Sequence, residues 1–248
     1  MRSGSRKIRR PGYLNTEYPS YLTGYVAKKK LIHFAENVHF DHLFQQSYHE
    51  LMAGFPLKGK WKSEYFLNDH PLIIELGCGK GEYTVHLAVA NPDRNFIGID
   101  IKGARLWKGC KMVEELQIKN AAFIRSKIEL LEHFFAQGEV DEIWLTFPDP
   151  HESNRRARKR LTFPRFLEKY RQVLSSTGFI HLKTDSESLH RYTLKVIREE
   201  GHELIFSSED IYNDAQNHDA TAIQTFYEEK FRVEGIPIKY IEFRLRYD

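Results

Sequence analysis

Glu75, Asp100, Asp149 and Asp185 each stand at or close to the end of a strand-like run, and Glu75 is followed by glycines at 77, 79 and 81. The segment Ile73-Ile-Glu-Leu-Gly-Cys-Gly-Lys-Gly-Glu82 runs an apolar strand into a turn and then opens a helix. Alternate glycines let the backbone fold tightly and let a ligand lie against bare peptide. Farther on, the apolar run Phe96-Ile-Gly-Ile ends in Asp100. A carboxylate there suits a ribose diol, because it accepts from both hydroxyls. The combination points to a nucleoside-bearing cofactor.

A dinucleotide is the obvious candidate, and two residues argue against it. Its fingerprint needs a third glycine at position 82, where this chain has Glu82. Glu75 and Glu82 would also set two carboxylates beside a pyrophosphate. They attract instead a cofactor with a cationic centre and an amino group, which describes S-adenosyl-L-methionine. Glu75, Gly77, Gly79, Gly81 and Asp100 are thus its expected binding residues.

The Phe147-Pro-Asp-Pro150 turn carries the reactive position. Prolines on both sides stiffen the backbone and fix where the Asp149 carboxylate points, which makes Asp149 the candidate catalytic residue. The densest basic run of the chain, Arg155, Arg156, Arg158, Lys159 and Arg160, follows at once. With Arg2, Arg6, Lys7, Arg9 and Arg10 near the N-terminus and the cluster Lys28 to Lys30, it favours a polyanionic partner bound through phosphates. RNA binding is accordingly assigned to the run 155–160.

The elements that must position these groups are legible at coarse resolution. Strand-like runs at Leu72–Leu76, Phe96–Ile99, Ala121–Arg125, Glu142–Phe147 and Phe179–Thr184 alternate with helical stretches near 82–90, 103–117, 128–137, 163–175 and 187–200. Such alternation predicts an α/β fold with a doubly wound, mostly parallel sheet. The run from Ile238 to Tyr247 follows no long crossover helix, so an antiparallel C-terminal edge strand is expected. In such a sheet ligands bind at the carboxyl ends of the strands. Asp185 or Ser186 also suits the N-cap of the helix near 187–200.

Composition bounds the class. The 248 residues are 41% hydrophobic and 29% charged with a net charge of +3, as in a soluble globular protein of one large domain. Residues 1–30 read as a flexible basic arm and 31–248 as a single domain. No apolar run approaches the roughly 20 residues of a membrane span, and no apolar signal core follows the basic N-terminus. Cys78 and Cys110 form no C-x-x-C pair, so reduced thiols, no metal site and a cytoplasmic location are expected.

Taken in order, Glu75-Leu-Gly-Cys-Gly-Lys-Gly-Glu, Phe147-Pro-Asp-Pro, Lys159-Arg-Leu-Thr-Phe-Pro-Arg-Phe-Leu167, His181-Leu-Lys-Thr-Asp185 and Thr225-Phe-Tyr-Glu-Glu-Lys-Phe231, with Phe34-Ala-Glu-Asn37 upstream, resemble the bacterial tRNA (guanine-N7-)-methyltransferases. The resemblance implies a class I methyltransferase domain, a monomer or homodimer, that methylates N7 of a guanosine in the tRNA variable loop. It implies cofactor contacts from Glu75, Asp100 and Asp149. Asp185 and the segment Thr225 to Glu228, including Tyr227, would contact the target nucleoside.

Two departures stand out. Where the family has an acid after the third strand, this chain has Lys127, so adenine recognition falls to Lys127 and the backbone of Ile128. Ser153 stands where a substrate-binding lysine is expected, and Arg155 and Arg156 would take over part of that charge. N7 of guanine has an available lone pair, so the reaction needs alignment rather than a base. His151 is accordingly read as a surface or RNA-contacting residue. The alternatives are a methyltransferase of another substrate, which leaves the basic run unexplained, and a non-catalytic RNA-binding protein, which leaves the glycine turn unexplained.

Overall fold

A computed structural model describes residues 30–214, 219–221, 223–224 and 226–247. The helix α1 covers 30–36. Eight strands follow in one sheet: β1 (Leu43–Phe44), β2 (Leu72–Leu76), β3 (Asn95–Asp100), β4 (Ala121–Arg125), β5 (Val140–Thr146), β6 (Leu174–Thr184), β7 (Glu203–Ser208) and β8 (Lys239–Arg244). The further helices are α2 (Tyr48–Ala53), α3 (Glu82–Ala90), α4 (Gly103–Glu115), α5 (Leu131–Phe134), α6 (Pro164–Arg171), α7 (Glu187–Glu199) and α8 (Phe226–Val233).

The sheet order is β1-β4-β3-β2-β5-β6-β8-β7. The pairs from β1 to β6 are parallel, and β8 runs antiparallel to both β6 and β7. The expected α/β sheet is present, and its C-terminal strand is antiparallel. That strand lies one place inside the edge, because β7 pairs along its outer side. Neither β7 nor the two-residue β1 is visible in the alternation of the sequence.

Side-chain alternation along the central strands builds a core on each face. Leu72, Ile74 and Leu76 of β2 join Ile97, Ile99, Ile143 and Leu145 on one face, with Ile180 and Leu182 of β6. Ile73, Phe96, Phe123 and Trp144 point to the other, against α3 and α4. Glu75 and Lys183 share the parity of that second face, so both are carried into a protein interior.

The helix expected over 128–137 is broken into a 3-10 turn at Ile128–Leu130 and the short α5. Phe134 and Phe135 are both buried in the same core, and adjacent residues of a continuous helix cannot face one direction. The chain therefore turns extended at Phe135. The helix expected over 163–175 ends at Arg171, and Leu174 already pairs with Val140 as part of β6. Among the described residues, no helix is long and apolar enough to cross a membrane.

Candidate active site

The carboxyl ends of β2, β5 and β6 meet at a cleft of about 620 Å³. Its wall includes Glu75, Gly77, Gly79, Asp149 and Asp185, drawn from three separate stretches of the sequence. Lys102 and Arg105 from the start of α4, Thr146 from β5 and Phe231 from α8 also line it.

The glycine turn is held by the strand beside it. The amides of Gly77 and Cys78 both donate to the Ile99 carbonyl, at 2.8 and 3.1 Å. The Gly79 amide donates to Asp100 Oδ2 at 3.0 Å, and Asp100 Oδ1 accepts from the Lys102 amide at 2.7 Å. Asp100 thus ties the turn to the start of α4. Gly79 and Gly81 both have left-handed backbones, yet their surroundings differ. A Cβ on Gly79 would meet nothing within 4 Å, whereas one on Gly81 would lie 2.4 Å from the Phe123 ring. Gly79 leaves an open approach for a ligand, and Gly81 lets α3 pack on β4.

Glu75 is buried at the base of the cleft, and its two carboxylate oxygens accept from the hydroxyls of Thr84 and Thr146. Burial pushes its carboxyl above the ordinary range, while these hydroxyls pull it back and the Asp100 charge adds a smaller push upward. A cation in the cleft would restore the charged form. The two threonines give no signal in the sequence, because their role depends on α3 and β5 meeting β2.

The turn that carries Asp149 has an unusual backbone. Phe147 (φ 48°) and His151 (φ 41°) flank it in left-handed conformations that cost about 1–3 kcal/mol each for such residues. The His151 amide donates to Asp149 Oδ1 at 3.0 Å, and His151 Nδ1 lies 3.4 Å from the same oxygen. The Phe147 amide donates to the Lys183 carbonyl at 2.8 Å, and its ring packs on Phe231. His151 is part of the cleft wall, where it steadies Asp149.

Asp185 follows β6 directly. The cap of α7 is Ser186, whose hydroxyl accepts from the Leu189 amide at 3.2 Å. Asp185 is therefore free of capping duty and faces the cleft, half-buried, with its carboxyl raised by that burial. Thr225 and the side chain of Tyr227 lie outside the described residues. Glu228 departs from its expected place at the nucleoside. It has no solvent exposure, sits 2.7 Å from the equally buried Lys183 ammonium, and accepts from the Tyr212 hydroxyl at 2.7 Å. The reason is the parity of β6, which drives Lys183 inward, where an ammonium requires a carboxylate. Lys183 also donates to the carbonyls of Ala220 and Ile223, fixing the chain that leads into α8.

Residues 154–159 form an exposed 3-10 helix. Arg155, Arg156, Arg158 and Lys159 project from it into solvent, and Lys159 also lines the cleft. Ser153, at the start of this helix, is exposed and off the cleft wall. Arg160 does not belong with the RNA-facing residues. It is 5% exposed, because its guanidinium turns inward onto the loop that carries Asp149. Lys127 and Ile128 do not line this cleft either: Lys127 precedes the 3-10 turn that begins β4's connection, and Ile128 packs against the core.

Residues 69–241 match the family model described as "Putative methyltransferase". A tRNA (guanine-N(7)-)-methyltransferase of Christiangramia forsetii is 52% identical over 222 residues, 89% of this chain and 99% of that protein. One from Bacteroides fragilis is 47% identical over 89% of this chain and 87% of that protein. Among solved structures, the 16S rRNA methyltransferase KamB superposes with a TM-score of 0.57 at 13% identity, covering 76% of this chain and 92% of that one. At that identity the likeness concerns the fold alone, which is that of a class I methyltransferase. With this sheet, this cleft and relatives matched over nearly their whole length, the chain belongs to the tRNA (guanine-N(7)-)-methyltransferase family.

Proposed function

We propose that this protein transfers the methyl group of S-adenosyl-L-methionine to N7 of a guanosine in the variable loop of tRNA, in the cytoplasm, as a monomer or homodimer. The observation that carries this reading is the convergence of Glu75, Asp149 and Asp185 on one cleft that Lys159 of the exposed basic helix 154–159 also lines.

The cleft fits the cofactor on its own chemistry. Gly79 has open space where a side chain would stand, and buried Glu75 is a carboxyl whose charge a cationic ligand would stabilise. Asp100, at the end of β3, is the acceptor for a ribose diol through its remaining lone pairs. When bound, S-adenosyl-L-methionine supplies an electrophilic methyl group on a sulfonium centre.

The residues of the chain act on the guanine. Asp185 is an acceptor for the ring N1–H and exocyclic amino donors, a pattern that adenine lacks. Asp149 lines the same cleft, where its carboxylate stabilises the positive charge that develops on the ring as N7 is alkylated. Nothing need remove a proton, so His151 acts by orienting Asp149. Arg155, Arg156 and Arg158 meet phosphates and set the approach of the RNA, which supplies affinity without sequence information.

Mapping the methylated nucleotide in tRNA incubated with the purified protein and cofactor tests the reading. N7-methylguanosine confined to the variable loop is the expected product. A methyl group at another atom or on a protein acceptor would overturn it.

A further inference from the structure

Arg160 is a buried arginine in a basic run that otherwise faces solvent. Its Nε donates to the Pro150 carbonyl at 3.1 Å, and its Nη2 donates to the carbonyls of His151 at 3.1 Å and Glu152 at 3.4 Å. The guanidinium carbon lies 4.2 Å from the centre of the Tyr192 ring, on α7. Among the described residues it pairs with no carboxylate. A buried cation with neutral partners is costly unless its donors are satisfied, and here successive carbonyls of one loop take up Nε and Nη2.

That loop begins with the Asp149 turn. Its first residue is fixed to β6 by the Phe147 amide, and the turn itself contains the left-handed residues Phe147 and His151. Its far side is held by Arg160. Tyr192 extends the clamp to the helix that starts just after Asp185, and beside it Thr162 and Thr193 hydrogen-bond at 2.8 Å in the interior.

We propose that Arg160 is a positioning residue for methyl transfer. Its planar fork holds the carbonyls of 150–152 so that Asp149 faces the cleft, and its stacking on Tyr192 keeps Asp149 in register with Asp185. The proposal rests on the function proposed above for Asp149 and Asp185. A lysine in its place keeps the charge but presents a single ammonium, which can neither fork across the carbonyls nor stack as a plane.

The test compares Arg160→Lys, Tyr192→Leu and the triple variant Arg155→Gln/Arg156→Gln/Arg158→Gln with the wild type. Arg160→Lys is expected to slow single-turnover methylation roughly ten- to a hundredfold at saturating tRNA and cofactor, as small misplacements do. Its tRNA affinity and the salt dependence of that affinity stay at wild-type values. Tyr192→Leu shows a smaller loss of the same kind. The triple variant is read differently, by a loss of up to about 0.9 in log–log salt slope per lost phosphate contact.

Hydrogen exchange supplies a readout that needs no substrate. The amides of Asp149 and of 151–153 are expected to exchange faster in Arg160→Lys than in the wild type, with the core strands unchanged. An unchanged rate and unchanged exchange would overturn the proposal, as would a reduced salt slope in Arg160→Lys with a normal saturated rate. If the wild type leaves tRNA unmethylated, the functional reading fails by itself, and the exchange of 149–153 still decides whether Arg160 holds the loop.

Discussion

The Lys183 ammonium lies 2.7 Å from the Glu228 carboxylate, and neither side chain has any solvent exposure. Burial lowers the lysine's pKa, and the glutamate charge and hydrogen bond oppose that shift. Because Lys183 sits at the end of β6 and Glu228 on α8, the pair anchors the helix whose Phe231 packs on Phe147 at the cleft.

Breaking this pair is expected to act first on stability. Glu228→Ala leaves a buried ammonium without its carboxylate, a loss on the order of 3–5 kcal/mol in a urea titration. The double variant Lys183→Met/Glu228→Leu removes both charges and is expected to cost clearly less than the sum of the single changes. Strictly additive losses would show that the two groups are not coupled.

Glu75 makes a second test, with a definite sign. Its carboxyl is raised above 4.5 by burial, so the folded protein holds this proton more tightly than the unfolded chain. The stability it contributes is full below 4.5 and is lost as pH rises through the raised value. Glu75→Gln should therefore melt higher than the wild type near neutral pH in the absence of cofactor, by roughly 2–4 °C for each kcal/mol recovered. The same variant should bind S-adenosyl-L-methionine about tenfold or more weakly by calorimetry, since it cannot carry the charge that a cationic ligand stabilises. A lower melting temperature in Glu75→Gln would contradict the assignment.

Asp185 and Asp149 should separate in their pH behaviour. Burial raises Asp185 from 3.8, so the acid limb of the single-turnover rate is expected above that value, where Asp185 begins to take up its proton. Asp185→Asn should flatten that limb and lower the plateau about tenfold to a hundredfold. Asp149→Ala should lower the plateau about a hundredfold while tRNA affinity, set mainly by phosphates, hardly changes. A wild-type rate in Asp149→Ala, or complete loss of activity in His151→Ala with a pKa near 6.5 in the profile, would point to base catalysis instead.

The two glycines of the turn should fail differently. Gly79→Ala places its Cβ in open space, so it is expected to fold with about 1 kcal/mol of backbone strain and to bind cofactor poorly. Gly81→Ala drives its Cβ into the Phe123 ring and is expected to lose several kcal/mol in thermal or urea unfolding, in the range of overpacked core positions. Equal stability of the two variants would show that the packing at Gly81 is more yielding than the structure implies.

The central strands, the glycine turn and the carboxylates that follow them are legible in the sequence. Leu72–Leu76 and Ala121–Arg125 occupy the expected residues, and α3 begins at Glu82 as the turn requires. These features are local: strand and helix periods are written in neighbouring residues, and a turn needs its glycines within a few positions. Where the long charged side chains go is set by packing between distant segments. Arg160 reads as one more cation of a basic run, yet carbonyls eight to ten residues back and Tyr192 draw it inside. Glu228 reads as a substrate contact, yet Lys183 claims it. The C-terminal strand reads as an edge, yet β7 pairs beyond it. In each case the free energy that sets the outcome belongs to a pair distant in the chain. A flexible side chain or a marginal strand has no preferred direction until its partner has been brought into place.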